Sequence, residues 1–383
     1  MPLLAVVSGG CATDGPAGAG GVQVRDSAGV RIVESAAVPR LALADEPELS
    51  IGAVEGAPAL LFGPNLSGLL LEDGGVAVAE LTAREIRFFD AGGAHLRTVG
   101  GRGGAPGEFA FLGNIQRLSG DTVLALDSRS NRWTWATAGD GIVRTLTEPR
   151  GPRMVLGTGR AVRLEFQRAE PGPPNVITRD RVEVIVFRPG EPAEDTLTTL
   201  PWVDVYFAPP EVAGTPRPQQ ITIPYGRKRP MAGGLDRFFT GSGDPFQVEV
   251  VDAASGLVEL WRRPWTPLPV TDAMIEDVVE GRGRVPPSMA GLVEAIRRAP
   301  RPAAASAYEE LRAGGDGSVW ARHARLFRAD PVVWSVFAPD GTLRGELTLP
   351  DNVSLADPRE DRALVVWRDA LDVPFLRVYR VVP

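Results

Sequence analysis

An all-β fold of repeated hairpins is what this sequence predicts, and three observations carry that reading. The first is an internal echo, in which residues 74–99 recur at 121–146, offset by 47 positions. Val76, Ala91, Gly92, Arg97 and Thr98 fall on Val123, Ala138, Gly139, Arg144 and Thr145. Glu80 meets Asp127, Ile86 meets Trp133 and Phe88 meets Trp135, so residue character is kept where identity is not. The second is that each copy reads as short alternating runs separated by turns. The third is a content of 44 Gly and 35 Pro, the turn-formers that a chain of many hairpins needs. A repeat of about 40–50 residues made of such hairpins is the pattern of a β-propeller blade. The expected fold is therefore a six-bladed β-propeller over 22–383, with a helical insertion at about 267–302.

The chain starts with an apolar run, Leu3 to Val7, followed by Ser8-Gly9-Gly10-Cys11. This looks like the end of a lipoprotein signal peptide, with Cys11 as the acylated residue. It departs from that pattern in having no Lys or Arg ahead of the run and Ser8 at a position where a leucine-like residue is usual. Residues 12–21 are Gly/Ala-rich and read as a tether, making 1–21 a leader and tether ahead of the folded domain. Val22 to Ser35 alternates around a turn and reads as a hairpin. Its expected partner is the C-terminal blade, so that strands from both chain ends close the ring.

The blades are expected at about 66–99, 113–146, 153–200, 221–263, from 308 to 341, and in the C-terminal run 363–379. Between the first two, the glycine-rich 100–107 permits a tight crossover, and Phe109 can anchor it. Trp133 and Trp135 replace Ile86 and Phe88 in the echo, so they belong to the core between blades. The β pattern breaks at Thr271, which can cap a helix bearing Met274, Ile275, Val278 and Val279 and stopped by Gly281. Ser288 can cap a second helix with Met289, Leu292, Val293 and Ile296 at helical spacing.

Several of these pieces resemble a known group. Gly103-Gly104-Ala105-Pro106-Gly107-Glu108-Phe109 is similar to the inter-blade signature of NHL-repeat propellers. Over 22–383 the chain resembles the bacterial six-bladed β-propeller proteins, which are often exported. The matching pieces are Arg25 to Val30, Ser50-Ile51-Gly52, Arg87 to Asp90, Tyr225-Gly226-Arg227, Gly241 to Asp244 and Leu371-Asp372-Val373. The chain departs from the group at Ala303 to Arg312 and in its loosely patterned third blade. The resemblance implies a fold and a cell-envelope location; it implies no activity, because the group has no agreed catalytic set.

The chemistry-bearing residues are sparse. Zinc-type sites want clustered His and Cys, and this chain has His95, His323 and one cysteine, Cys11. His95 falls on Ile142 in the echo and reads as an exposed strand residue. Glu80 and Asp127 occupy equivalent positions and read as caps of the turns that follow their strands. The glycines at 100–107 lack the lysine and the strand-to-helix context of a phosphate loop. A net charge of −7 argues against nucleic acid. No cofactor or metal set is read from the sequence, and no catalytic residue.

Loops of a propeller converge at its mouth, where recognition is expected. The candidate ligand-binding residues are Arg102 and Glu108 in the first crossover, with Tyr225, Arg227 and Arg229 ahead of the fourth blade. The helices at 271–298 are expected to add a wall. The expected function is binding of a small molecule or protein, without catalysis, by an exported monomer that is either held at the envelope through a lipid anchor or periplasmic or secreted. The alternative is a metal-dependent hydrolase of the sugar-lactonase propeller type.

Overall fold

The computed structural model describes residues 21–173, 176–283, 286 and 289–383. Cys11 and Ser288, and with them the leader and the cap expected for the second helix, lie outside the described residues. The strands of 66–100 pair in chain order, as do those of 115–147 and those of 154–222. The strands of 231–262 do the same, and their sheet gains two more at its outer edge. The last sheet joins strands 308–349 to strands 353–382 through one short bridging strand.

Four N-terminal strands explain these additions: β1 (Val22–Ser27), β2 (Val30–Ser35), β3 (Arg40–Leu43) and β4 (Leu49–Ile51). The hairpin β1–β2 forms as the alternation predicts, but its partner is not the C-terminal blade. β2 runs parallel to Gly256–Arg262, pairing Val33 with Trp261, and buries Val33 in the core there. β3 is the bridge, parallel to Leu343–Leu349 and antiparallel to Val381 and Val382. β4 also joins the two chain ends, pairing Ile51 with Leu376 and Leu49 with Val378 along the last strand. Ring closure by both ends is thus present, but in β3 and β4 and not in the hairpin. A further correction concerns Ile221, which lies in Gln219–Thr222 at the outer edge of the 154–222 sheet and does not start the next one.

Apolar clusters fill the spaces between successive sheets, because each sheet has two apolar faces and must bury both. Phe88, Val99 and Phe109 pack with Ile115 and Val123. Trp133 and Leu124 pack with Val155 and Phe187, which places Trp133 in the core between sheets, with Trp135 packed at its margin. Met154 and Val186 meet Phe238 and Val251; Phe246 and Trp261 meet Tyr308 and Phe337. Trp334 and Leu347 meet Val365 and Tyr379, and Leu364 and Leu376 meet Val76 and Phe89, returning to the start. A ring of sheets packed face to face in this way is a β-propeller.

The crossover after the first sheet follows the sequence reading. Gly100 sits at φ +96, and a Cβ there would come within 2.6 Å of the Phe109 ring, which is fully buried. Among the described residues there are three α-helices: α1 (Pro210–Ala213), α2 (Asp272–Glu280) and α3 (Ala290–Arg298). The Thr271 hydroxyl accepts the Met274 amide at 3.4 Å, as a capping residue should, and Gly281 ends α2. Ile275, Val279, Val293 and Ile296 turn their stripes onto Tyr206 and Ile221 of the 154–222 sheet.

Candidate functional site

The first strand of each sheet pairs on one side only, and its other edge turns inward. Leu66–Leu70, Ile115–Arg117, Met154–Val155, Met231–Gly233, Tyr308–Ala313 and Val353–Pro358 all contribute residues to one central cavity of about 720 Å³. Backbone N–H and C=O groups on those edges therefore line the axis, giving it many hydrogen-bonding groups before any side chain is counted.

The charged side chains of this cavity divide into paired and unpaired. Arg117 pairs with Asp357, and both are almost completely buried. Asp357 also accepts the Leu70 amide at 2.8 Å, while Arg117 Nε donates to the Leu70 carbonyl at 3.1 Å. Burial pushes the Asp357 carboxyl above its ordinary range against the pull of Arg117 and Arg359. Arg312 donates to Glu310 at 2.8 Å, and Arg229 to Glu249 at 2.6 Å. Glu309 is taken by Arg322 at 2.8 Å. Arg153 and Lys228 also line the cavity, and no carboxylate among the described residues pairs with either. The axis therefore carries a cationic surplus within a protein of net charge −7.

The five residues expected at a binding mouth are not brought together. Arg102 is held against the first sheet, donating to the Thr82 carbonyl in the turn after Glu80 at 2.9 and 2.6 Å. Glu108 accepts the Ala105 amide at 3.0 Å, so it braces the same crossover. Arg227 forms a half-exposed pair with Asp244 at 2.8 Å. Arg229 does reach the axial cavity, but it is buried and committed to Glu249 and to the Pro201 carbonyl. Tyr225 lines a second cavity, of about 490 Å³, between the helices and the sheets. Its hydroxyl donates to the Leu326 carbonyl at 2.6 Å, and burial, with nearby carboxylates, pushes it up to about 12.

Glu80 and Asp127 hold turns, as the echo suggests. Glu80 accepts the Gly63 and Ala83 amides. Asp127 accepts those of Ala110, Arg129 and Ser130 at 2.7, 3.0 and 3.1 Å. Burial opposes ionisation of Asp127, yet the bonds from Ser130, Phe111 and Ala110 outweigh it and hold the carboxyl below its usual value. Among the described residues, no three His, Cys, Asp or Glu side chains converge as metal ligands would.

Arg117, Arg153, Arg312 and Asp357 escaped the sequence reading, although the 47-residue offset held a signal for Arg117. Ser67 and Asn114 stand 47 residues apart and hydrogen-bond at 2.6 Å between neighbouring sheets; Leu70 and Arg117 repeat the same offset. The first strand of each repeat is the one that faces the cavity.

No protein family's sequence model matches the chain, and no curated protein matches it. Solved structures similar to it include a candidate exported protein from Bacteroides fragilis, at 8% identity and TM-score 0.47, covering 91% of this chain and 99% of that one. A DUF4221 family member from Bacteroides vulgatus matches at 11% identity and TM-score 0.42, over 89% and 98% of the two chains. The calcium-binding protein regucalcin from Agrobacterium tumefaciens matches at 11% identity and TM-score 0.32, over 89% and 96%. Likeness at this level transfers neither ligand nor activity. No helix among the described residues is long and apolar enough to cross a membrane.

Proposed function

We propose that this protein is a six-bladed propeller, with α2 and α3 as an insertion between its fourth and fifth blades, that binds a hydroxyl-rich organic anion on its axis. The observation that carries the reading is the pairing pattern of the cavity. Its carboxylates are neutralised by arginines, while Arg153 and Lys228 line it without a carboxylate partner among the described residues. Inward strand edges suit hydroxyl groups, and the surplus cations suit a carboxylate, so a sugar acid is the class of ligand that uses both. No nucleophile–base pair lies on the axis among the residues named there, and binding without turnover is the activity proposed.

Calorimetric titration with glucuronate tests this. Binding is expected, with glucose at least about tenfold weaker and Arg153→Gln costing about tenfold, equivalent to about 1.4 kcal/mol for the lost charge pair. Equal affinity for glucose and glucuronate, or an indifferent Arg153→Gln, removes the reading. Lactone hydrolysis that stops on chelation and returns with calcium or zinc replaces it with the hydrolase alternative.

We also propose display at the cell envelope through Cys11. Stable anchoring needs more than one acyl chain, which lipoprotein processing supplies. In the native host Cys11→Ser is expected to move the protein from the membrane to the soluble fraction, as fractionation and immunoblotting would read. Unchanged membrane association argues against the anchor.

A further inference from the structure

We infer that the second cavity, beneath α2 and α3, is a separate site for an amphipathic anion, a carboxylate carried on an apolar chain or ring. Its walls differ in kind from those of the axis. Ile223, Val278, Ile296 and Phe327 supply apolar surface, and Phe327 remains 38% exposed. At about 490 Å³ the space suits a ligand of ordinary metabolite size.

The charges are unbalanced in one direction. The lining carboxylates are already engaged, because Asp277 accepts the Arg328 amide at 2.9 Å and lies 3.4 Å from its guanidinium, while Glu309 is held by Arg322 at 2.8 Å. Arg282 and Arg325 line the same space, and no carboxylate among the described residues pairs with either. Nε of Arg325 is buried without any hydrogen-bond partner. A buried guanidinium N–H left unmade is costly, and an incoming carboxylate would satisfy it. The chain beyond Gly283 reads Arg-Val-Pro-Pro-Ser, which contains no acidic residue to supply the missing partner. Apolar walls beside uncompensated guanidinium groups select a ligand with both features, and disfavour a bare inorganic anion or a neutral apolar molecule.

Thr222, Lys228 and Glu309 line both cavities, but Arg282, Arg325 and the apolar walls belong to this one alone and Arg153 to the axial one. Calorimetric titration of the full chain with octanoate, octan-1-ol and inorganic phosphate tests the inference. Octanoate is expected to bind, with both other probes at least about tenfold weaker. Arg325→Gln and Arg282→Gln are each expected to weaken octanoate by about tenfold at an unchanged melting temperature, and Arg153→Gln to leave it alone. Arg282 is exposed, so its variant keeps the test valid even if Arg325→Gln folds poorly. Octan-1-ol or phosphate binding as tightly as octanoate overturns the inference, as does indifference to Arg282→Gln. Weakening by Arg153→Gln overturns it too, because octanoate would then occupy the axis. Failure of glucuronate to bind leaves this site standing.

Discussion

His323 shows how a single buried side chain can set the pH response of the whole fold. Its ring lies 5.4 Å from that of Phe246 and 5.5 Å from that of Trp265, and its Nε2 is 2.8 Å from the Ser335 hydroxyl. Burial lowers it to about 4 from an ordinary 6.5; Glu346 opposes that fall and Arg263 adds to it. The folded imidazole therefore resists a proton that the unfolded chain accepts. Between pH 6.5 and about 4 the unfolded state binds more protons, so stability declines as pH falls through this window. The loss reaches at most about 3 kcal/mol. His323→Gln is expected to flatten that part of the profile, measured as unfolding free energy against pH. Parallel profiles for the two proteins would assign the slope to other groups. The sequence singled out His323 only as an unlikely metal ligand; its burial depends on aromatic rings 77 and 58 residues earlier in the chain.

At the scale of elements, the N-terminal strands divide sharply in what they contribute. β4 is only three residues long, yet Ile51 is 2% exposed and packs with Leu70, Phe89, Leu364 and Leu376. It touches both ends of the ring at once. Gly52 beyond it sits at φ +135, where a Cβ would come within 2.9 Å of the Phe375 ring, so the turn after β4 requires glycine. Ile51→Ala is expected to cost about 2–4 kcal/mol in urea unfolding. Val24 of β1 is 48% exposed, and Val24→Thr is expected to stay within about 0.5 kcal/mol. Similar costs for the two variants would deny β4 its closing role. The helix α2 was the most legible element of all, because a cap at Thr271 and a stripe of Ile275 and Val279 are local patterns that need no distant partner to be read.

Across the whole molecule, the Arg117–Asp357 pair ties three sheets together at the axis. Asp357 comes from the last strands, Arg117 from the 115–147 sheet, and both engage the backbone of Leu70 in the 66–100 sheet. Breaking such a pair from one side strands a buried charge. Asp357→Ala is expected to cost about 3–5 kcal/mol, and Asp357→Leu combined with Arg117→Met to recover much of it. Chemical unfolding of both variants decides this, and a double variant no better than the single one would show that the carboxylate braces the axis beyond neutralising Arg117.

The sequence by itself determined the hairpin units, the turns held by Glu80 and Asp127, the Phe109 anchor, the place of Trp133 in the core and the two helices. Each of these is written in neighbouring residues, as a period, a cap or a repeat. Only the tertiary structure decided that β2 joins Gly256–Arg262, that β3 and β4 close the ring, and that Ile221 belongs to the earlier sheet. Those pairings are made by backbone groups at strand edges, which nearly any alternating strand can offer, so side-chain identity does not choose among them. The candidate site was hidden for a related reason. Arg153, Arg282 and Arg325 look like any surface cations in the sequence, and Lys228 stands out there only as the middle of the basic run 227–229. They become distinctive only when the fold has paired the surrounding carboxylates with other arginines and left these four facing two cavities.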